Sequence, residues 1–220
     1  MARKTPGLDA PDAEFARLAK GRQPIQVAAI VTKLATPIDF VGPWEVFAQT
    51  VALDGKEHFD VYAVSTSLEP LTLSGGLIVV PQYTLETAPP PDIILVPALG
   101  YGGGPVIGDW LRRAHRRGTV IVSVCDGARE LAEAGILDGL SATTHHGSID
   151  DLRRQYPKVE VVGGRRFVKG SPTVYTAGGL MSGIDLALHL VGQILGADAA
   201  RRVADHLEYE GRGWRSPGSR

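Results

Sequence analysis

The chain has one cysteine, Cys125, and its position is the first chemical signal. An apolar, β-branched run from Thr119 to Val124 stops at it, and Ala128, Leu131 and Ala132 then open a helical pattern. A strand that turns directly into a helix is predicted. The thiol then lies at the carboxyl edge of a sheet and at the positive end of a helix dipole, which favours its ionised form. Gly127 leaves room for the turn. Serine hydrolases push a nucleophile into the open with the same strand, turn and helix. A cysteine elsewhere in a chain usually behaves as a small buried hydrophobe. The elbow context instead makes Cys125 a candidate nucleophile.

Two acids accompany it. Asp126 follows the cysteine directly, and Asp39 lies in the loop after the apolar run Ile25 to Thr32. Ionised carboxylates here raise the thiol pKa by like-charge repulsion, so both acids cannot comfortably be ionised against a thiolate. The reading that follows is a protonated, partly desolvated Asp39 donating a hydrogen bond to sulfur. Nucleophile and general acid are then one proton transfer apart. Asp126 either positions water or serves only as an N-terminal helix residue stabilising the dipole.

The elements that must hold these groups alternate. Runs at Ile25 to Thr32, Phe59 to Ser65, Gly76 to Val80, Asp92 to Pro97 and Thr119 to Val124 read as strands. Later strands are expected at Ser141 to His145, Val159 to Val162 and Phe167 to Thr176, the last with a turn near Gly170. Between them fall helical patterns: one from Gly42 with Pro43 at its first position, one through Ile107, Trp110, Leu111 and Ala114, and a polar one from Ser148 to Gln155. Leu180, Ile184, Leu188, Val191 and Leu195 mark a helix near the core, and Ala199 to Tyr209 a last one. Arg112, Arg113, Arg116 and Arg117 fall opposite an apolar stripe and read as a solvated face. Alternation of this kind predicts an α/β fold with a mostly parallel sheet covered on both faces. Ligands then bind beyond the carboxyl ends of the strands. Asp39, the Pro97 to Gly104 loop and the pair Cys125 and Asp126 all reach that edge.

Length and composition fit one large domain over residues 25–210, with a polar N-terminal arm at 1–24 and a flexible tail at 211–220. In the arm, a short helix from Pro11 to Lys20 offers Phe15 and Leu18 as apolar contacts. With 23 Lys and Arg against 24 Asp and Glu, charge gives no argument for a nucleic-acid partner. One cysteine cannot form an internal disulfide, and no Cys/His spacing resembles a zinc site. Neither an export signal nor a membrane-spanning run of about 20 apolar residues is present. These features point to a cytoplasmic protein with no membrane association, no metal and no cofactor.

Longer motifs carry a resemblance. Ser123 to Ala128, Leu131 to Gly139, Ala142 to His145, Asp39 to Phe47 and Ala177 to Ala187 resemble the ThiJ/PfpI superfamily. The branch they most resemble contains isonitrile hydratases and the sensor-like domains of some AraC-type regulators. The resemblance spans about Gln26 to Tyr209. It implies a flavodoxin-like three-layer sandwich, a homodimer, an elbow nucleophile at Cys125 and an acidic partner at Asp39. Two departures stand out. Isonitrile hydratases carry a threonine where this chain has Asp126, and many members have Gly-Gly where Ala98 and Leu99 follow Pro97. An oxyanion hole is built from backbone N–H groups, so Leu99 or Gly100 can still offer one beside that of Asp126. His145, on another segment, is a candidate to orient or hydrogen-bond the substrate, or a structural histidine at a strand end.

The function implied is cysteine-dependent hydration of a small molecule, isonitrile to N-substituted formamide. Three readings stay open beside it: a glyoxalase- or deglycase-type reaction on reactive aldehydes, a redox-sensing cysteine, and a non-catalytic ligand-binding domain. Fewer than about 15 residues follow the last predicted helix, which argues against a self-contained DNA-binding regulator. A peptidase lacks a convincing Cys-His pair.

Overall fold

In the computed structural model the described residues are 13–21, 23–100 and 103–216. Most of the N-terminal arm, residues 101 and 102 of the loop from Pro97 to Gly104, and residues 217–220 therefore lie outside them.

The chain runs through helix α1 (Ala13–Lys20), strand β1 (Ile25–Ile30), α2 (Pro37–Ala48), β2 (Phe59–Ser65), β3 (Leu71–Thr72), β4 (Ile78–Val79), β5 (Tyr83–Thr84) and β6 (Ile93–Val96). It continues through α3 (Gly104–Arg116), β7 (Val120–Val124), α4 (Gly127–Glu133), β8 (Ser141–Ala142), α5 (Ile149–Gln155) and β9 (Glu160–Val161). The last elements are β10 (Phe167–Ser171), β11 (Val174–Ala177), α6 (Ser182–Leu195) and α7 (Ala197–His206). Among the described residues, seven strands form one sheet in the order β10-β11-β7-β6-β1-β2-β5. Its pairs are parallel except the β10–β11 hairpin. The α/β sandwich predicted from alternation is present.

Burial on both faces explains why the strands read as unbroken apolar runs. All six residues of β1 are buried. Its side chains alternate between two cores, with Val27 and Ala29 in one and Ala28 and Ile30 in the other. Phe15 and Leu18 of α1, Phe47 of α2 and Leu188 of α6 share the first core; Trp110 and Leu111 of α3 share the second. As expected, Arg113, Arg116 and Arg117 face solvent on the far side of α3.

Several local expectations change. The helix after β1 starts at Pro37, which takes the first helical position, and Pro43 lies inside it. Asp39 is therefore in a first helical turn rather than in a loop. Proline removes one intrahelical donor, which a packed neighbour can compensate. Pro43 lies against Gly183 of α6, where an added Cβ would approach its ring at 3.0 Å. Gly42 faces Ile184 of the same helix just as closely. β9 pairs with β8 in a small separate sheet. The chain from Gly211 reads as a loose tail, yet Gly213–Arg215 forms a 3-10 turn with Trp214 only 3% exposed. Its indole N–H donates to the Gly211 carbonyl oxygen at 3.0 Å, so a large apolar ring is buried with its polar atom satisfied.

The sheet order reverses between β1 and β6, whose neighbours run outward in opposite directions. Such a switch point opens a crevice at the carboxyl ends. Asp39 and the Pro97 to Gly100 loop border it, and Cys125 follows β7 on the next strand.

Candidate active site

Cys125 sits on the strand-to-helix turn with φ of 58°, a left-handed conformation that non-glycine residues rarely adopt. Three contacts hold it there. Its N–H is shared between the carbonyl oxygens of Ala177 and Gly178, at 3.2 and 2.9 Å. Its own carbonyl oxygen accepts from Thr144 Oγ1 at 2.9 Å, and that hydroxyl also lies 3.3 Å from Asp126 Oδ1. Gly127 does more than allow the turn. A Cβ there would collide with the Val96 carbonyl oxygen, so glycine lets the elbow close against the end of β6.

Asp39 is fully buried. Oδ2 accepts the Ala98 N–H at 3.2 Å, which ties α2 to the loop after β6. Oδ1 has no hydrogen-bond partner, yet the Cys125 thiol and the Leu180 N–H lie near enough to stabilise the carboxylate charge. Burial dominates that stabilisation and pushes the Asp39 pKa up to about 6. Burial, and after it the charge of Asp39, pushes Cys125 up to about 12. The helix-dipole argument predicts an ionised thiol, and here it loses. α4 has only seven residues, and Cys125 is 8% exposed, so desolvation and repulsion outweigh the backbone donors of Asp126 and Leu180. Between the two titrations the pair holds one proton, and it sits on sulfur: the thiol donates to an ionised Asp39, the reverse of the expected protonated Asp39 donating to sulfur, because burial leaves the thiol, at about 12, far above the carboxyl, at about 6.

Two cavities flank this pair. Ala98, Leu99, Gly100 and Asp126 line one, together with the acids Glu130 and Glu133. Leu99 and Gly100 thus line the same cavity as Asp126. Gly100, at φ of 68°, packs so tightly that a Cβ would stand 2.7 Å from the Lys33 carbonyl oxygen. Burial raises the pKa of Glu130, which accepts the Gly103 N–H at 3.1 Å. His145 lines the other cavity, with Thr144, Leu180, Arg165 and Arg166. His145 therefore borders the site on the side away from Leu99 and Gly100.

Leu180 and Thr144 escaped the sequence reading. Leu180 has φ of 54° and exposes an apolar side chain, while its N–H serves the Asp39 and Cys125 pair. The only local sign is the Gly178-Gly179 pair before it. Thr144 acts by bonding the elbow backbone, and nothing in its own segment reports that. Among the described residues, no group of three or more His, Cys, Asp or Glu side chains is arranged to hold a metal ion. Nor is any helix there long and apolar enough to cross a membrane.

A mostly parallel sheet with a left-handed cysteine elbow and a buried carboxyl from α2, the helix after the first strand, defines a class of α/β proteins. The chain belongs to the DJ-1/PfpI family, whose model matches residues 25–193. It is 32% identical over 190 residues to the isonitrile hydratase of Pseudomonas putida, covering 84% of this chain and 78% of that one. It is also 34% identical over 157 residues to the HTH-type transcriptional regulator CdhR of Pseudomonas aeruginosa, covering 68% of this chain and 46% of the regulator. The chain thus spans about half the length of that regulator. Among solved structures, a ThiJ/PfpI family protein from Pseudomonas syringae aligns with a TM-score of 0.73 at 25% identity, over 96% of this chain and 79% of that one. Drosophila melanogaster DJ-1beta aligns with a TM-score of 0.71 at 20% identity, over 85% and 99% of the two chains, a likeness of fold.

Proposed function

We propose that the protein hydrates an isonitrile to an N-substituted formamide, with Cys125 as nucleophile and Asp39 as its proton partner. The observation that carries this reading is a fully buried carboxyl, Asp39, beside a buried thiol held on a left-handed elbow. Hydration of an isonitrile needs that stock of groups. As sulfur bonds to the terminal carbon, the proton of the pair passes to the same carbon, giving a neutral thioimidate. Water then adds across the C=N bond, its oxygen to that carbon and one proton to nitrogen, and the C–S bond breaks as the C=O forms, with the second water proton going to sulfur. No redox change occurs, and the thiol is regenerated. A nucleophile and a proton donor in contact are suited to the first step. In this reading backbone N–H groups of Leu99 or Gly100 stabilise the oxygen that adds and Asp126 orients the water, supported by their lining one cavity. The 32% identity to an isonitrile hydratase over most of both chains supports the same substrate class.

A second reading has its own support. A thiol pushed up to about 12 is a weak nucleophile until its proton is taken, and a regulator aligns at 34% identity. A ligand-binding sensor domain is consistent with both. We further propose that the working unit is a homodimer in the cytoplasm; a light-scattering mass equal to one chain contradicts the dimer.

A screen of alkyl isonitriles beside methylglyoxal, run with wild type and Cys125→Ala, separates these readings. Formamide from the wild type alone supports the hydratase. Lactate from methylglyoxal with no formamide moves the reaction to aldehydes, and binding without turnover of either supports the sensor.

A further inference from the structure

The two cavities that flank Cys125 have opposite charge. Glu130, Glu133 and Asp126 line the one beside Leu99, with Arg129 as its cation. The other, about 330 Å³, is lined by Arg165, Arg166, His145 and His146, and among the described residues no acidic side chain lines it. Its wall is built from the residues that hold the elbow. Gly178 accepts the Cys125 N–H, Thr144 donates to the Cys125 carbonyl oxygen, and the Leu180 N–H faces the Asp39 and Cys125 pair. The cationic cavity and the elbow thus share Thr144, Gly178 and Leu180 as a common wall.

Two of the donors in it, Arg166 and His145, are oriented. Arg166 is fixed from behind by Asp185, which is 1% exposed and accepts its Nε–H at 2.6 Å. His145 Nδ1 accepts the Gly147 N–H at 3.2 Å, so the neutral ring carries its proton on Nε2. That edge of the ring lies over Gly179, where a Cβ would collide with it. Glycine at 179 thus lets the Nε2–H edge sit against the step that leads to Leu180. Guanidinium groups present planar, parallel donors that match a carboxylate in two places.

We infer that this cavity holds a carboxylate of the substrate, with Arg165 and Arg166 as the guanidinium partners and His145 Nε2–H as a further donor. Resting on the hydratase reading, the assignment makes the substrate class an isonitrile that bears a carboxylate. The same carboxylate is excluded from the other cavity by Asp126, Glu130 and Glu133, so the substrate has one orientation across Cys125.

Two measurements test this separately from the reaction. Cys125→Ala is titrated by calorimetry with N-formyl ω-amino acids of increasing chain length and with their methyl esters. At least one acid is expected to bind about tenfold or more tightly than its ester, the range of a charge-assisted hydrogen bond. Adding Arg165→Gln should remove most of that preference, and Arg165→Lys should restore part of it. Acids and esters that bind alike, or acids that do not bind at all, overturn the assignment. In parallel, wild type is assayed with the matching isocyano carboxylates and esters. Turnover with no preference for the acid overturns the carboxylate site and leaves the hydratase reading standing. Acid binding that Arg165→Gln abolishes, with no isonitrile turned over, sustains the site and removes the hydratase.

Discussion

Asp39 and Cys125 reach each other from beyond the ends of β1 and β7, two strands separated by β6; the Asp39 charge raises the thiol pKa, while the thiol's hydrogen bond lowers that of Asp39 against the larger effect of burial. A buried carboxyl at about 6 and a thiol at about 12 leave one proton between them across the neutral range. Below pH 6 both are protonated, and Asp39 can no longer accept the thiol proton. The rate kcat/KM is therefore expected to rise through an apparent pKa of about 6 and stay level through pH 9. Initial rates across pH 4.5 to about 9 check this. A rate that first appears near pH 8 to 9, as an ordinary thiol ionises, contradicts the shared proton.

Asp39→Asn keeps the shape and removes the proton carrier. Turnover is expected to fall about a hundredfold or more. Alkylation of Cys125 by iodoacetamide should move the other way and speed up at pH 8 to about 9, because the charge that raises the thiol pKa is gone. Mass spectrometry of the alkylated peptide measures the second effect. A mutant with full turnover removes Asp39 from the reaction.

Stability should respond as well. Asp39 has a folded pKa above its unfolded value of 3.8, so it binds protons more tightly when folded. Its contribution is fully present below about pH 4 and is lost as pH rises through about 6. At pH 7 the ionised carboxyl costs about 3 kcal/mol relative to the protonated form, two units at 1.4 kcal/mol each. Asp39→Asn is expected to raise the unfolding midpoint at pH 7 and to leave it nearly unchanged at pH 4. Denaturant melts at both pH values decide it; an equal shift at both assigns the effect to packing instead.

Asp126 adds a second negative charge that raises Asp39 and Cys125 alike. Asp126→Thr removes it and restores the residue typical of isonitrile hydratases. Isonitrile hydration should be kept or increased, and the lower limb of the pH profile should shift down. Loss of hydration with another reaction retained would favour a different substrate.

The sequence was most legible where one residue type had one physical use. Unbroken apolar strands, the Ile184 to Leu195 spacing and the elbow at Cys125 each had a single structural solution, and the mostly parallel sheet followed from their alternation; Leu180, read as the first residue of that spacing, instead lies before α6 with φ of 54° and an exposed side chain. Asp39 was legible as a partner because it follows the strand that borders the switch point. Its helical setting was hidden because Pro37 and Pro43 compete for the first helical position, and the choice depends on contact with α6. The thiol's charge state was misjudged for a related reason: a helix start is visible in sequence, whereas its length and the burial around it depend on long-range packing. Thr144, Leu180 and the Gly179 contact with His145 depend on the same packing. Trp214 shows the limit in the tail, where composition suggested looseness and one aromatic ring found the core.

The most direct measurement is the intact mass of the protein quenched during turnover of an isonitrile. The account predicts a transient gain equal to one whole isonitrile, with no loss of atoms, located by fragmentation on Cys125 and absent from Cys125→Ala. Formamide release with no such adduct, and with Cys125→Ala still active, contradicts a cysteine nucleophile at this elbow.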